Sequence, residues 1–213
     1  FNVETMVLSG TTLYVGGRFT VIGGQTRNRI AALDINAGTA TTWNPTASGS
    51  VVNAIVRSGS TLYVGGTFAY FGGSLRNNLA AIPAGTGAVL SWDPNVGGTV
   101  STLAAYGTTL YVGGTFSMIG GQARNRLAAL SSTGNLLAWD PNVNGPVTSM
   151  VMTGTKLFIG GAFTTVGGIS RLRLAGITTT GALLSWNPTA EGTVNTLLLS
   201  GSCLLYTSDA ADE

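Results

Sequence analysis

A period of 47 to 49 residues runs through the chain and constrains its fold more than any other feature. The first glycine of a Gly-Gly pair recurs once per period, at Gly16, Gly65, Gly113 and Gly160. Every tryptophan keeps the same register and precedes an Asn-Pro or Asp-Pro pair; these are Trp43, Trp92, Trp139 and Trp186. Such self-similarity is typical of repeat proteins, in which each repeat is one supersecondary unit that buries its core against its neighbours.

One repeat predicts four short strands and no helix. In the second repeat, apolar segments cover residues 52–56, 61–64, 79–82 and 88–92, and glycine-rich turns separate them. Pro94 ends the last segment because proline has no N–H to donate to a neighbouring strand. Short β-branched and aromatic segments at this spacing indicate an all-β fold.

The predicted strands are apolar on both faces, so protein must cover both sides of each sheet. Leu62 and Val64 point to one face and Tyr63 points to the other. A four-stranded sheet between two copies of itself is a β-propeller blade, and the period is close to that of known blades. A β-solenoid with two rungs per period is the alternative, but the two halves of a repeat do not resemble each other.

The sequence therefore predicts a β-propeller fragment of four blades, each with four antiparallel strands. The expected blades cover residues 3–45, 51–94, 99–141 and 146–188, and a fifth begins at 194–202. Because closed propellers usually have more blades, we expect an open arc that is truncated at both ends and normally continues into further blades of its own chain.

Composition excludes several classes of function. There is no histidine and only one cysteine, so the usual Cys/His zinc sites and the Ser-His-Asp triad are excluded. We expect no metal, no cofactor and no enzymatic activity in this segment. The formal net charge is only +2 and the arginines are spread among the repeats, which argues against nucleic-acid binding. No apolar run is long enough to insert into a membrane as a helix.

Two motifs resemble known families. Residues 31–43, an Ala-Ala-Leu-Asp segment that ends at Trp43, and the copies ending at the other tryptophans are similar to the tryptophan-docking motif of quinoprotein-type propellers. The Leu-Tyr-Val-Gly-Gly-x-Phe segment with its second Gly-Gly pair resembles bacterial delta-sixty-type repeats. The resemblance implies blades whose indole rings pack on the next blade. It does not imply quinoprotein chemistry, because only Asp34 keeps the acid of the docking motif.

The candidate binding residues are arginines that recur after the second Gly-Gly pair: Arg27, Arg76, Arg124 and Arg171. A ring of guanidinium groups could hold carboxylates, phosphates or acidic glycans. The alternative, which recurrence in every repeat favours, is that each arginine donates to carbonyls of the Gly-Gly turns while the following Asn makes a local side-chain turn. The four tryptophans and the four first glycines named above are expected to be structural, with the glycines at positive φ and each indole N–H bonded to an acceptor.

The last eleven residues depart from the repeat. Residues 203–213 back-translate into a string that resembles a transposase adapter used in short-read sequencing, so we interpret them as a non-native tail of a metagenomic fragment. An ordinary acidic tail is the alternative. The apolar start of the tail predicts that residues 203–207 imitate the second strand of a fifth blade, paired with 194–200, while 208–213 stay irregular.

The functional expectation is a non-enzymatic module of a secreted or cell-surface bacterial protein, for binding, adhesion or scaffolding. Its partner is open, with a protein or a glycan as the expected kind of ligand. The alternative is the propeller part of a larger enzyme, a quinoprotein-like oxidoreductase or a polysaccharide lyase, whose active site lies outside this segment.

Overall fold

The structure is a computed structural model that describes residues 2–209, and every regular element in that range is a β-strand. The chain divides into two compact units, Phe1–Val100 and Ser101–Glu213. The strands are β1 (Val3–Ser9), β2 (Thr12–Gly17), β3 (Val21–Ile22), β4 (Gln25–Thr26), β5 (Ile30–Asp34), β6 (Ala47–Ser58), β7 (Thr61–Phe71), β8 (Ser74–Leu75), β9 (Leu79–Pro83), β10 (Val100–Tyr106), β11 (Thr109–Gly114), β12 (Met118–Ile119), β13 (Gln122–Ala123), β14 (Leu127–Ser131), β15 (Val147–Thr153), β16 (Lys156–Gly161), β17 (Thr165–Val166), β18 (Ile169–Ser170), β19 (Leu174–Thr178), β20 (Val194–Ser200) and β21 (Cys203–Ser208).

Each repeat forms one antiparallel sheet around its second strand. The first unit contains the sheets β1-β2-β5 and β6-β7-β9, with β8 also paired to β7. The second unit contains the sheets β10-β11-β14 and β15-β16-β19 and the lone pair β20-β21. The third strand always meets the second in one register, as in the pairings Thr12↔Asp34 and Lys156↔Thr178. The all-β antiparallel fold predicted from the sequence is confirmed.

The fourth strand of each blade is much shorter than the sequence suggests. In three repeats it keeps only one isolated bridge to the third strand: Leu33↔Ala40, Leu130↔Leu136 and Ile177↔Leu183. In the second repeat, a backbone hydrogen bond from Leu90 N–H to the carbonyl of Ala81 at 3.0 Å joins the fourth segment to the third strand. The pairing stops there because a Trp-Asn-Pro or Trp-Asp-Pro turn follows at once and proline cannot donate.

A small hairpin projects between the second and third strands and contains the second Gly-Gly pair. In three repeats it is a separate pair of two-residue strands, β3-β4, β12-β13 and β17-β18, and in the second repeat it continues β7 into β8. Both glycines of each pair have positive φ, for example 57° at Gly23 and 76° at Gly24. This turn needs glycine because L side chains rarely adopt that conformation.

The first Gly-Gly pair has a different role from the one predicted. Gly16, Gly65, Gly113 and Gly160 do not have positive φ. Gly16, Gly113 and Gly160 are small because the following strands pack directly on them: a Cβ on Gly16 would lie 2.5 Å from Cγ1 of Val52, and one on Gly160 would lie 2.5 Å from Cγ1 of Val194. The constraint is therefore close approach of two sheets and not backbone conformation.

The apolar core lies at these junctions between consecutive sheets. In the first unit, Val52 and Ile55 of the second blade pack with Tyr14 and Ile30 of the first. In the second unit, Val147 and Met150 join Tyr111 and Leu127 in the same way. The fourth blade is buried on both faces, as the apolar pattern predicted, because Val194 and Leu197 pack on the face opposite to the third blade.

Two polar contacts set the register between neighbouring blades. Thr5 Oγ1 accepts the N–H of Ile55 at 3.2 Å, and Ser149 Oγ accepts the N–H of Leu197 at 2.9 Å. These two hydroxyls occupy equivalent places in β1 and β15. They satisfy amides at the junction that would otherwise be left without a partner in the core.

The tail forms the predicted hairpin. β20 pairs with β21 from Ser200↔Cys203 to Val194↔Ser208, as β1 pairs with β2. The expectation of irregular structure from residue 208 is wrong for Ser208, which ends β21. Asp209 has no regular structure, and its Oδ1 accepts from Asn195 Nδ2 at 2.7 Å. Residues 210–213 lie outside the described part of the chain.

We expect the Gly160→Ala substitution to destabilise the fold by about 1–3 kcal/mol, because the new methyl group overlaps Val194 in a packed junction. Gly85→Ala is the matched control: Gly85 has open space around its Cβ position and no positive φ. It should change stability by less than about 0.5 kcal/mol. Urea unfolding followed by circular dichroism measures both, and equal effects would contradict the packing argument.

Candidate functional site

Each of the four candidate arginines bridges two segments of its own blade through backbone carbonyls. Arg76 donates to the carbonyl of Leu90 and to that of Leu75, both at 2.6 Å. The other repeats use the same pair of acceptors, with distances to the fourth segment of 2.6 Å for Arg27–Thr41, 3.2 Å for Arg124–Leu137 and 2.8 Å for Arg171–Leu184. The guanidinium groups are therefore engaged in the same backbone contacts in every repeat.

These contacts replace strand pairing. The N–H of Leu90 donates to the third strand, and its carbonyl accepts from Arg76. The Arg76 side chain therefore occupies the edge where a fifth strand would pair. The acceptors differ from those predicted, because the carbonyls belong to the fourth segment and to the residue just before the arginine, and not to the Gly-Gly turns. The prediction of a local Asn turn is also wrong, since Asn77 Nδ2 donates to Asn95 Oδ1 at 2.8 Å.

The arginines differ in their acidic neighbours. Asp93 lies 3.8 Å from Arg76, and Asp140 lies 3.8 Å from Arg124. In the first and fourth repeats the same turn carries Asn44 and Asn187. The two aspartates also accept the N–H two residues ahead, as in Asn95 N to Asp93 Oδ1 at 3.1 Å, which forms an Asx turn at each Asp-Pro pair.

A second recurring position escaped the sequence analysis. Arg29, Asn78, Arg126 and Arg173 stand two residues after the candidate arginines and have left-handed φ between 63° and 68°. Their side chains also reach carbonyls, as from Arg126 Nη1 to Phe116 at 3.0 Å and from Arg173 Nη1 to Ala190 at 2.7 Å. The Arg-x-Arg or Arg-x-Asn spacing in every repeat is the signal that could have identified them.

Each tryptophan packs edge to face on the aromatic residue of the second strand in its own blade. The ring centroids are 5.1 Å apart for Tyr14–Trp43, 5.2 Å for Tyr63–Trp92, 5.0 Å for Tyr111–Trp139 and 5.0 Å for Phe158–Trp186. Edge-to-face pairs at this distance are favourable beyond the area they bury. Trp43 and Trp92 are buried, whereas Trp139 and Trp186 are half-buried.

Two of these indole rings also touch the turn after the third strand of the next blade. Trp43 lies against Gly87, and Trp139 lies against Gly181. Trp139 Nε1 donates to the carbonyl of Thr178 at 3.2 Å, as expected. The expectation is wrong for Trp43 and Trp92, whose buried N–H groups have no acceptor among the described residues.

The tyrosines of the aromatic pairs have altered pKa values. Burial raises the pKa of Tyr14, Tyr63 and Tyr111 above its ordinary value. Positively charged Arg57 partly opposes the increase in the pKa of Tyr14. These phenols serve as packing groups, and that of Tyr14 also donates from Oη to the carbonyl of Ala84 at 2.8 Å.

Among residues 2–209, no three His, Cys, Asp or Glu side chains lie together in a group that could hold a metal ion. In the same range, no helix is long and apolar enough to cross a membrane.

Comparison with known proteins identifies the repeat unit. The family model described as "Domain of unknown function (DUF5122) beta-propeller" matches residues 12–34 and 109–136, the second strand, hairpin and third strand of the first and third repeats. The repeats of this chain are β-propeller blades. No curated protein sequence matches the chain.

Solved structures share the fold at low identity. The chain is 20% identical, with a TM-score of 0.63, to the extracellular domain of a B. thetaiotaomicron protein assigned to one-component systems, covering 97% of this chain and 25% of that one. It is 12% identical to the computationally designed Ika8 protein, with a TM-score of 0.59 and coverage of 97% and 68%. A chain of the mitotic checkpoint complex is 15% identical, with a TM-score of 0.62 and coverage of 97% and 57%. The blades thus span one quarter of the Bacteroides domain.

We expect Trp92→Ala to destabilise the protein by about 3–5 kcal/mol, because it empties a large buried aromatic site. Trp186→Ala is the comparison within the chain, and should cost less because Trp186 is only half-buried. Chemical denaturation measures both. A loss below about 1 kcal/mol for Trp92→Ala would show that its ring contributes little to the core.

Stability should fall as the pH rises above about 10, the ordinary pKa of tyrosine. The unfolded chain releases the phenolic protons first, because the folded pKa of Tyr14, Tyr63 and Tyr111 is raised. Their contribution is complete below pH 10 and is lost as the pH passes through the folded values. Thermal unfolding between pH 8 and 12 measures the slope, and a variant with all three tyrosines changed to Phe should show a shallower one. The fourth repeat already has a phenylalanine, Phe158, at the equivalent position.

Proposed function

We propose that this chain is a non-enzymatic β-propeller module of a secreted or cell-surface protein, serving as a binding or structural scaffold. The observation that carries the proposal is the identical use of Arg27, Arg76, Arg124 and Arg171, which donate to backbone carbonyls in every repeat. An active site in one repeat needs residues that differ from those at the equivalent positions of the other repeats. Here the recurring polar residues hold the blade together.

An extracellular or surface location is supported by composition and by one structural likeness. Charged residues make up 8% of the chain, Thr, Gly and Asn are abundant, and Lys156 is the single lysine. The Bacteroides neighbour is an extracellular domain. A bacterial source and membership of the delta-sixty-type repeats belong to the same proposal, since both follow from the Leu-Tyr-Val-Gly-Gly motif.

The likeness to quinoprotein docking motifs is proposed as structural only. Trp43 and Trp139 contact the turn of the following blade, which is the role that the motif implies. The proposal includes no cofactor, no metal and no nucleic-acid partner. Further blades of the same protein, and a protein or a glycan, are the partners that we propose.

Sequencing the complete gene in the source DNA, with primers placed in the codons for residues 150–200, tests the proposal. We expect a secretion signal and further propeller repeats or a surface-anchoring domain in the same reading frame. A fused catalytic domain, or a cluster of acidic residues in the missing blades, would instead favour the enzyme alternative and contradict the proposal.

The same experiment tests the interpretation of the tail. After Gly201 and Ser202 the native codons should continue as Thr-Leu-Tyr-Val-Gly-Gly, as residues 61–66 do. The reason is steric, because Thr207 occupies the place that Gly16 takes in the first repeat, where the next blade leaves no room for a Cβ. Recovery of residues 203–213 unchanged from source DNA would show that the tail is native.

A further inference from the structure

A cleft of about 320 Å³ lies at the junction of the first and second blades. Its walls are Tyr14 and Trp43 of the first blade and the turn of residues 84–86 of the second. Thr12, Thr42 and Thr86 also line it, so the surface is rich in hydroxyl groups and carries no charged side chain. The volume is at the lower end of the range of small-molecule sites.

The wall of this cleft contains a buried hydrogen-bond donor without an acceptor. Trp43 is 7% exposed, and its Nε1–H has no partner among the described residues. Leaving such a donor unsatisfied costs on the order of 1–3 kcal/mol, so a persistent one needs an explanation. A ligand that supplies an acceptor oxygen would provide that explanation.

The equivalent junction of the second unit shows how this donor is otherwise satisfied. Trp139 Nε1 donates to the carbonyl of Thr178, the last residue of β19. The position corresponding to Thr178 in the second blade is Pro83, the last residue of β9. Both carbonyls accept the amide of their own turn glycine, Pro83 from Gly87 at 3.1 Å and Thr178 from Gly181 at 2.9 Å, but the Pro83 carbonyl accepts no indole N–H.

One inserted residue explains the difference between the two junctions. The turn of the second blade closes from Pro83 to Gly87, four residues on, whereas that of the fourth blade closes from Thr178 to Gly181, three residues on. The longer turn places Ala84 under the hydroxyl of Tyr14, which donates to the Ala84 carbonyl. At the junction of the third and fourth blades the corresponding residue is Tyr111, which packs on Trp139. The longer turn and the bond from Tyr14 to Ala84 thus distinguish the first junction from that one.

We propose that this cleft binds a neutral sugar unit, with Trp43 Nε1–H donating to a sugar oxygen. Threonine and tyrosine hydroxyls both donate and accept, which matches the hydroxyl groups of a saccharide. The uncharged lining disfavours an anionic or cationic ligand. This inference deepens the proposed binding role and rests on it, since it names the class of ligand.

Binding requires the turn to move outward. Gly87 covers the indole N–H, so a sugar oxygen reaches it only when residues 84–87 shift. Gly85 has open space around its Cβ position, whereas Gly87 packs against the indole ring, so the movement must separate Gly87 from Trp43. The resonances of the turn should therefore change together with that of the indole.

The test is a titration of the full ¹⁵N-labelled chain followed through its indole N–H resonances, assigned with single Trp→Phe variants. The probes are glucose, galactose, N-acetylglucosamine, cellobiose and chitobiose. We expect at least one probe to shift the resonance of Trp43 and those of residues 84–87 while leaving that of Trp139 in place. Trp43→Phe should weaken the binding roughly fivefold, the loss of one hydrogen bond, and the matched variant Trp139→Phe should not.

Two further variants keep the test decisive if Trp43→Phe proves unstable. Tyr14→Phe imitates the fourth repeat and should also weaken binding, and deletion of Gly85 should restore the short turn and abolish it. The proposal is overturned if no probe shifts Trp43, if Trp139 shifts equally, or if the deletion variant binds unchanged. Such a failure leaves the proposed scaffold role intact, because that role is tested separately by the complete gene.

Discussion

The close approach of consecutive sheets at Gly16, Gly113 and Gly160 is the contact on which each unit of this structure depends. Val52 of the second blade rests on Gly16 of the first, and Val194 rests on Gly160, with no space for a Cβ between them. Since each sheet is apolar on both faces, it can bury itself only against another sheet. The glycines set the separation, and threonine and serine hydroxyls of the first strands then align the amides across the junction.

Arginine has an unusual structural use here. Burial of a guanidinium group normally requires an acidic partner, yet these four side chains satisfy their donors mainly with carbonyls. By occupying the outer edge of the fourth segment, each one stabilises a strand that is too short to be held by backbone pairing. The same contact leaves the Nε atoms of Arg27, Arg76, Arg124 and Arg171 buried without a partner. The cations thus stabilise the blade through its backbone carbonyls.

Differences between copies are more informative about binding than features that all copies share. The turn after β9 has one residue more than the turn after β19, and the carbonyl of Pro83 does not accept the indole N–H that the carbonyl of Thr178 accepts at the equivalent junction. A donor is left free, and a hydroxyl-lined cleft opens beside it. A propeller can in this way acquire a specific site at one junction while the other blades preserve the scaffold, because each blade contacts only its neighbours.

Much of the fold could be predicted from the sequence because it depends on local pattern. The period, the second and third strands, the glycine hairpins and the pairing of 194–200 with the tail follow from strand-forming residues and turns that lie close together in the chain. The candidate site was less predictable. The arginine positions could be found by their recurrence, but their acceptors could not, since Arg76 meets Leu90 only after the blade has folded.

The sequence by itself determined that this protein is a stack of like β-sheets with glycine, tryptophan and arginine at equivalent places. Only the tertiary structure decided what those residues do. Tyr14 and Ala84 are 70 positions apart, and their hydrogen bond exists because two blades dock with a particular separation. The indole N–H of Trp139 has a carbonyl acceptor and that of Trp43 has none, a difference that periodicity in the sequence does not resolve.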